Sequence, residues 1–416
     1  MNGKISIIFL SIGIIVAILI SSQSLKANSA DHISNDLKNM AKANNKFAFE
    51  LYSQLSKSEK GNIFYSPLSI FTALAMTYEG ARGQTAEEMK SALHFSTNSI
   101  SRQNFVYIYN EFNKKNKDYE LKMLNNLWLQ KGYNVLKTYK DNVKKYYSGE
   151  ITNLDFINET EKSRQAINDL IRKNTNNKIR DLLGPDSVKP LTRLIITNAI
   201  YFKESWQWEF DKSKTKEQNF RINETKAIRT KMMSIQPDKV KFNYADLGNL
   251  QILELPYKGE KNSMLILLPS GDIKELENSL TEEKLVEYKN KMQKTKLDSI
   301  YIPKFKFDLG YDKLKENLKE MGIISAFENT KADFSSITGN RELFISDIVH
   351  KAHIEVDEKG TEAAAATAAV MTFTAMPDAP EPIVFKADHP FIFIIQEKNT
   401  GIILFIGKVL NPTTEN

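Results

Sequence analysis

The 416-residue sequence predicts an α+β fold in which large, mainly antiparallel sheets carry a layer of helices. Three observations support this. Helical periodicity dominates the chain up to Ile179, and short β-branched and aromatic runs bounded by turn signals dominate it from Leu194 onward. No Pro/Gly/Ser-rich linker or fixed-period repeat divides the two, and 41% hydrophobic residues supply one sizeable core.

The amino end reads as a separate segment. Asn2 to Lys4 are polar, Ile5 to Ile20 is an almost unbroken apolar run, and small residues follow around Ala27 and Ala30. This is the pattern of a cleaved secretory signal over residues 1–30, with an uncleaved membrane anchor as the alternative. Either one places a single domain over residues 31–416 outside the cytoplasm, in contact with a membrane only if the leader stays.

Within the domain, the apolar spacing of Ala41 to Leu55 predicts a first helix. Ser66-Pro67 opens a second from Leu68 to Tyr78, and Gly80 and Gly83 stop it. Thr85, with Glu88 three residues on, reads as the cap of a third. Glu161 to Ile179 is amphipathic, with Ala166, Ile167, Leu170 and Ile171 on its apolar stripe. Leu194–Phe202, Leu250–Tyr257, Ser263–Pro269 and Ser299–Phe307 read as strands, and Phe391–Val409 as a buried hairpin turning at Asn399 to Gly401.

The chemistry-bearing residues argue against an enzyme. There is no cysteine, hence no disulfide and no thiolate metal site. The histidines at 32, 94, 350, 353 and 389 form no HExxH pair, and neither GxSxG nor GxxxxGK[ST] occurs. No catalytic residue, metal ligand or cofactor is assigned. Lys and Arg exceed Asp and Glu by 57 to 51 with the charges interspersed, so no nucleic-acid partner is read. The lysines of Asn113–Lys122 and Asp141–Tyr147 fit a solvated helix face, or else a polyanion.

One stretch fits no ordinary element. GTEAAAATAAVMTFTAMPDAPEP, Gly360 to Pro382, is Ala-rich but opens on glycine and closes on three prolines. Before it, Ala352, Ile354 and Val356 alternate with Lys351, His353, Glu355 and Asp357, the pattern of a strand running into Gly360. Continued, the alternation turns Thr361, Ala363, Ala365, Thr367 and Ala369 toward the core and Glu362, Ala364, Ala366 and Ala368 away. Neither set is large enough to obstruct entry between two strands. Such a ribbon suits two states, an exposed loop and an inserted central strand; an Ala-rich surface helix or slack linker is the bland alternative.

With these residues in hand, the chain resembles the serpins from Phe47 to Pro412. NIFYSPLSIFTALAMTYEGARGQTAEEM, TNAIYFKESWQWEF, ADFSSIT, ISDIVHKAHIEVDEKGTEAAAATA and ADHPFIFIIQEKNTGIILFIGKVLNP are similar to separate motifs of that family. The resemblance implies an exposed reactive-centre loop over about residues 358–382 and a suicide-substrate inhibitor of serine proteases. Ser66, Ser69, Asn198 and His350 fall at the polar shutter beneath the central strands. Trp206, Lys304 and Glu358 fall at the breach where the loop enters, with Lys304 and Glu358 as an ion pair. Glu358 to Thr367, EKGTEAAAAT, matches the hinge of inhibitory members, so Gly360, Thr361, Glu362, Ala363, Ala364, Ala365, Ala366 and Thr367 are expected to insert. Family spacing sets the reactive bond at Thr374-Ala375, which suits elastase-like proteases. Phe373-Thr374 would suit chymotrypsin- or subtilisin-like ones, and Met376 is a third choice. A serpin that binds or chaperones without inhibiting, and a surface polyanion-binding protein, are the rival readings.

Overall fold

The computed structural model of the chain describes residues 35–95, 101–113, 118–237, 239–311, 313–361 and 381–414. A first helix, α1, covers residues 35–58. Next come β1 (Ile63–Tyr65), α2 (Pro67–Tyr78), α3 (Gly83–Ala92), α4 (Arg102–Phe112), β2 (Tyr119–Gln130), α5 (Lys137–Tyr147), β3 (Glu150–Leu154), α6 (Thr160–Asn174) and β4 (Leu194–Ser205). The middle of the chain gives β5 (Lys216–Arg221), β6 (Ala227–Ile235), β7 (Lys241–Asp246), β8 (Leu250–Pro256), β9 (Asn262–Pro269), α7 (Ile273–Ser279) and α8 (Glu282–Lys291). The rest gives β10 (Gln293–Lys296), β11 (Ser299–Pro303), β12 (Phe305–Gly310), α9 (Leu314–Glu320), α10 (Ser335–Thr338), β13 (Ile345–Asp357), β14 (Gly360–Thr361), β15 (Val384–Lys386), β16 (Phe391–Glu397) and β17 (Ile403–Val409).

Three sheets result. One has seven strands in the order β1-β17-β16-β9-β8-β7-β10, one has four in the order β15-β11-β6-β5, and the third has six in the order β12-β13-β14-β4-β2-β3. The α+β class with mainly antiparallel sheets is as the sequence predicts. Aromatic rings join the two larger sheets: Phe202 of β4 reaches Phe405 of β17 at 5.3 Å, and Phe305 of β12 reaches Phe393 of β16 at 5.3 Å. Helix α2 lies against strands of both sheets and is buried from Pro67 to Thr77. It therefore has no polar face to show. Its start is fixed by Ser66, whose Oγ accepts the Ser69 N–H at 3.2 Å, and by Pro67 in the first turn.

Three expectations need correction. Helix α3 begins at Gly83 behind Arg82, so Thr85 is not its cap. Thr85 Oγ1 accepts the N–H of Asp333, and Glu88 takes the N–H groups of Ile324 and Ser325, so both side chains tie down a distant loop. On α6 the buried residues are Ser163, Ile167, Asn168 and Ile171, whereas Ala166 is exposed: the stripe is rotated so that Asn168 can bond both the N–H and the carbonyl of Leu183. Ile167 and Ile171 lie with Trp128, Ile195 and Ala199 on the outer face of the six-stranded sheet. Finally, Ser299–Phe307 is two strands in different sheets. The chain leaves β11 at Pro303 and enters β12 at Phe305, with Lys304 at the corner donating its N–H to Lys231 O at 2.8 Å.

Candidate functional site

The middle of the six-stranded sheet is unusual. Strands β4 and β13 pair in parallel over eight rungs, from Leu194↔Ile345 to Tyr201↔His353. Above that they part. Gly360 and Thr361 sit between them, antiparallel to both: Gly360 is paired with Asp357 and Ser205, Thr361 with Val356 and Glu204. Among the described residues no ladder joins Phe202 and Lys203 of β4 to Ile354 and Glu355 of β13. The sheet is zipped below, wedged open at the top, and unpaired between. Residues 362–380 lie outside the described residues, and with them Glu362, Ala363, Ala364, Ala365, Ala366, Thr367, Phe373, Thr374, Ala375 and Met376.

The wedge is held by backbone and buried side chains. Asp357 Oδ1 accepts the N–H groups of Lys359 and Gly360 and so closes the turn. Trp206 N–H donates to Lys359 O, Phe210 N–H to Glu358 O, and the Trp206 indole to Asp357 O at 3.0 Å. The Trp206 ring stacks on Tyr257 at 4.6 Å, and the Tyr257 hydroxyl is 2.9 Å from Thr361 Oγ1. Thr361 is thus fully buried and faces the core. Only glycine fits at 360, because a Cβ there would stand 2.2 Å from Glu204 O.

Glu358 is 5% exposed and bonded on both oxygens, to Lys304 Nζ at 2.7 Å and to Thr215 Oγ1 at 2.7 Å. Burial pushes its carboxyl up. The hydrogen bonds from Lys304 and Thr215 outweigh that and hold it below the ordinary glutamate value. The pair therefore ties the base of the wedge to the corner between β11 and β12.

Ser66, Ser69, Asn198 and His350 come together farther down. His350, wholly buried, accepts the Ser66 N–H on Nε2 at 3.2 Å and lies against Asn198 Oδ1 through Nδ1. Since Ser66 N–H can only donate, the ring must be neutral with its proton on Nδ1. Burial lowers its pKa to about 3, against the raising effect of Asn198. Asn198 in turn donates to Ser69 Oγ and to Asn125 Oδ1, while Ser66 Oγ donates to Leu404 O at 2.7 Å. Asn125, Asn198 and His350 occupy one rung across β2, β4 and β13. Both ring nitrogens of His350, both amide atoms of Asn198 and the hydroxyls of Ser66 and Ser69 have partners, and that satisfaction fixes the zipped state.

Sequence reasoning missed Asn125, Thr215 and Tyr257, ordinary residue types far away in the chain. It also set His353 on the outward face without seeing that it is buried. His353 is 3% exposed beside Tyr201, neither ring nitrogen has a hydrogen-bond partner, and burial, helped by Lys178, Lys306 and Lys351, lowers its pKa to about 4. No group of three or more His, Asp or Glu side chains among the described residues is placed to share a metal ion.

The model of the family described as "Serpin (serine protease inhibitor)" matches residues 42–412. The chain belongs to the serpin family. That family is described as one of protease inhibitors, not of catalysts. This serpin is 42% identical over 393 residues to an uncharacterized serpin-like protein of Methanosarcina acetivorans, covering 93% of this chain and 91% of the relative. To human serpin B3 it is 39% identical, covering 90% of this chain and all of the relative. Solved structures agree: uncleaved ovalbumin superposes with a TM-score of 0.80 at 30% identity over 90% of this chain and all of ovalbumin. Human thyroxine-binding globulin, solved with its hormone, gives 0.81 at 31% over 91% of this chain and all of the globulin.

Proposed function

We propose that this serpin is an extracytoplasmic inhibitor of serine proteases that acts as a suicide substrate. One observation carries the proposal. The chain that leaves β13 turns at once into the opening between β4 and β13, antiparallel to both, and the sequence from Glu362 to Ala369 holds no side chain too large to follow. In the reaction the protease serine attacks the carbonyl of Thr374, or of Phe373, and the amine of the next residue leaves. An ester joins loop and enzyme. Insertion of the ribbon, the strand addition for which this family is the type case, then carries the tethered protease away before water cleaves that ester. Trp206, Lys304 and Glu358 guard the point of insertion, and Ser66, Ser69, Asn198 and His350 must exchange partners as the strands separate. The apolar leader over residues 1–30 supports the extracytoplasmic location, and the scattered lysines leave a polyanion as a secondary partner.

EKGTEAAAAT favours inhibition over the binding role that thyroxine-binding globulin exemplifies. The test is to incubate the purified protein with elastase-, chymotrypsin- and subtilisin-like proteases and to run denaturing gels. A complex that survives denaturation is expected, and the mass of the released carboxyl-terminal peptide will distinguish Thr374-Ala375 from Phe373-Thr374. Clean cleavage by all three, without a complex and without a gain in heat resistance, would overturn the reading.

A further inference from the structure

A cavity of about 350 Å³ opens between the start of α1, α4, the first residue of β2, the end of β4 and the two turns β8–β9 and β16–β17. It is within the size range of small-molecule sites, roughly 300–1,000 Å³. Leu37, Ile108, Phe112, Tyr119 and Ile402 give it apolar walls. Two of its polar side chains, Glu204 and Asn262, are each 3% exposed. Asn262 Nδ2 donates to Glu204 Oε2 at 2.9 Å, but Asn262 Oδ1 has no partner. A buried carbonyl oxygen left unpaired calls for a donor. The lining lysines are engaged near the rim, Lys258 with Asp118 at 3.1 Å and Lys261 with Glu111 at 3.8 Å, and Glu397 accepts the N–H groups of Asn399 and Thr400 within its own turn. The inner end thus leaves the Asn262 carbonyl without a donor.

We propose that this cavity binds small amphiphilic amines, the apolar body lying against Leu37, Ile108 and Phe112 and the ammonium donating to Asn262 Oδ1 and to the Glu204 carboxylate. Burial pushes the Glu204 carboxyl up to about 8, against the lowering effect of Asn262. The other titratable groups around it are Tyr107, Tyr119, Tyr257, Glu111, Lys258, Lys261 and Glu397. At neutral pH an incoming ammonium therefore displaces the Glu204 proton to solvent and takes its place as the partner of the carboxylate, so no unpaired charge is buried. A neutral alcohol of the same shape meets Asn262 alone and moves no proton.

Calorimetric titration of the full-length protein with phenethylamine and with phenethyl alcohol tests this. The amine stays charged between about pH 6 and 9, so any pH dependence belongs to the protein. Expected is amine binding that weakens about tenfold per pH unit below about 8 with release of about one proton per complex, and alcohol binding that is weaker and flat. Glu204→Gln should abolish the pH dependence. Ile108→Trp, which fills the cavity, should abolish binding of both without lowering the melting temperature. Equal, pH-independent binding of amine and alcohol, no binding heat at any pH, or unchanged binding by the filled variant would overturn the proposal. No protease takes part, so the outcome is independent of the inhibitor reading.

Discussion

His350 and His353 stand three residues apart on one strand and are both buried, yet their energetics are opposite. His350 makes two hydrogen bonds and holds Ser66 and Asn198 in place. His353 makes none. Replacing His350 by valine orphans the Ser66 N–H and Asn198 Oδ1 and should cost about 2–4 kcal/mol, whereas His353→Val removes an unsatisfied ring and should stabilise by about 1–3 kcal/mol, as read from thermal melts at neutral pH. The pH dependence has a definite sign. The fold keeps these rings neutral down to about 3 and about 4, while the unfolded chain takes up their protons below about 6.5. Stability should therefore fall as pH drops through that window, by about 1.4 kcal/mol per unit for each histidine, and His353→Val should remove its share of the slope. A variant that melts lower than the parent, with an unchanged acid limb, would show that His353 is satisfied after all.

At the scale of elements, the decisive feature is that the two described residues of β14, Gly360 and Thr361, are already seated between β4 and β13. Thr361 lies in the core with its hydroxyl on Tyr257, so arginine there would lose that bond and have to force a long charged side chain into space already filled by Tyr257 and Trp206. Under the proposed mechanism Thr361→Arg should slow insertion and turn the inhibitor into a substrate. On gels with the protease that the parent traps, the cleaved form should replace the covalent complex almost completely; undiminished trapping would dissociate Thr361 from the insertion step. Much of this element was legible. The alternation of β13, the glycine at its turn and the small residues beyond are local patterns, and Ser66 with Ser69, Asn198 and His350 were found through three separate motifs that resemble those of the family. The break at Lys304 was passed over although it leaves a local mark: the apolar positions change phase from Ile300 and Ile302 to Phe305 and Phe307 across Pro303 and Lys304, and only the pairing shows that the two halves join different sheets. Strand β2 was hidden for a similar reason: its first residues carry Glu120 and Lys122 among the lysines of a charged run, although Leu127 to Gln130 are buried. The capping signature at Thr85 misled because both of its residues serve contacts to residues 324–333.

For the whole molecule the question is which state is lower in free energy. The β4–β13 interface is parallel, and parallel pairing is slightly weaker per residue than antiparallel pairing. Extending β14 downward would replace that one parallel ladder by two antiparallel ones, and would also fill the unpaired stretch between Phe202–Lys203 and Ile354–Glu355. Under the proposed mechanism the anchor at the far end of the loop keeps the uncut chain from this state: β15, beginning at Val384, pairs with β11 in the four-stranded sheet. On that reading a ribbon tethered at both ends cannot run the length of the opening, and the uncut form is held kinetically. Cutting the loop releases one end. With a net gain on the order of ten hydrogen bonds at about 0.5–1.5 kcal/mol each, and an unfolding entropy of about 2 cal/mol/K per residue, the cleaved protein should melt on the order of 10 °C higher than the intact one. Calorimetry on samples before and after limited proteolysis within residues 370–376 will measure the difference. A cleaved form that melts at or below the intact temperature would mean that the ribbon stays outside, and the wedge at Gly360–Thr361 would then be a closed turn instead of the first rung of an insertion.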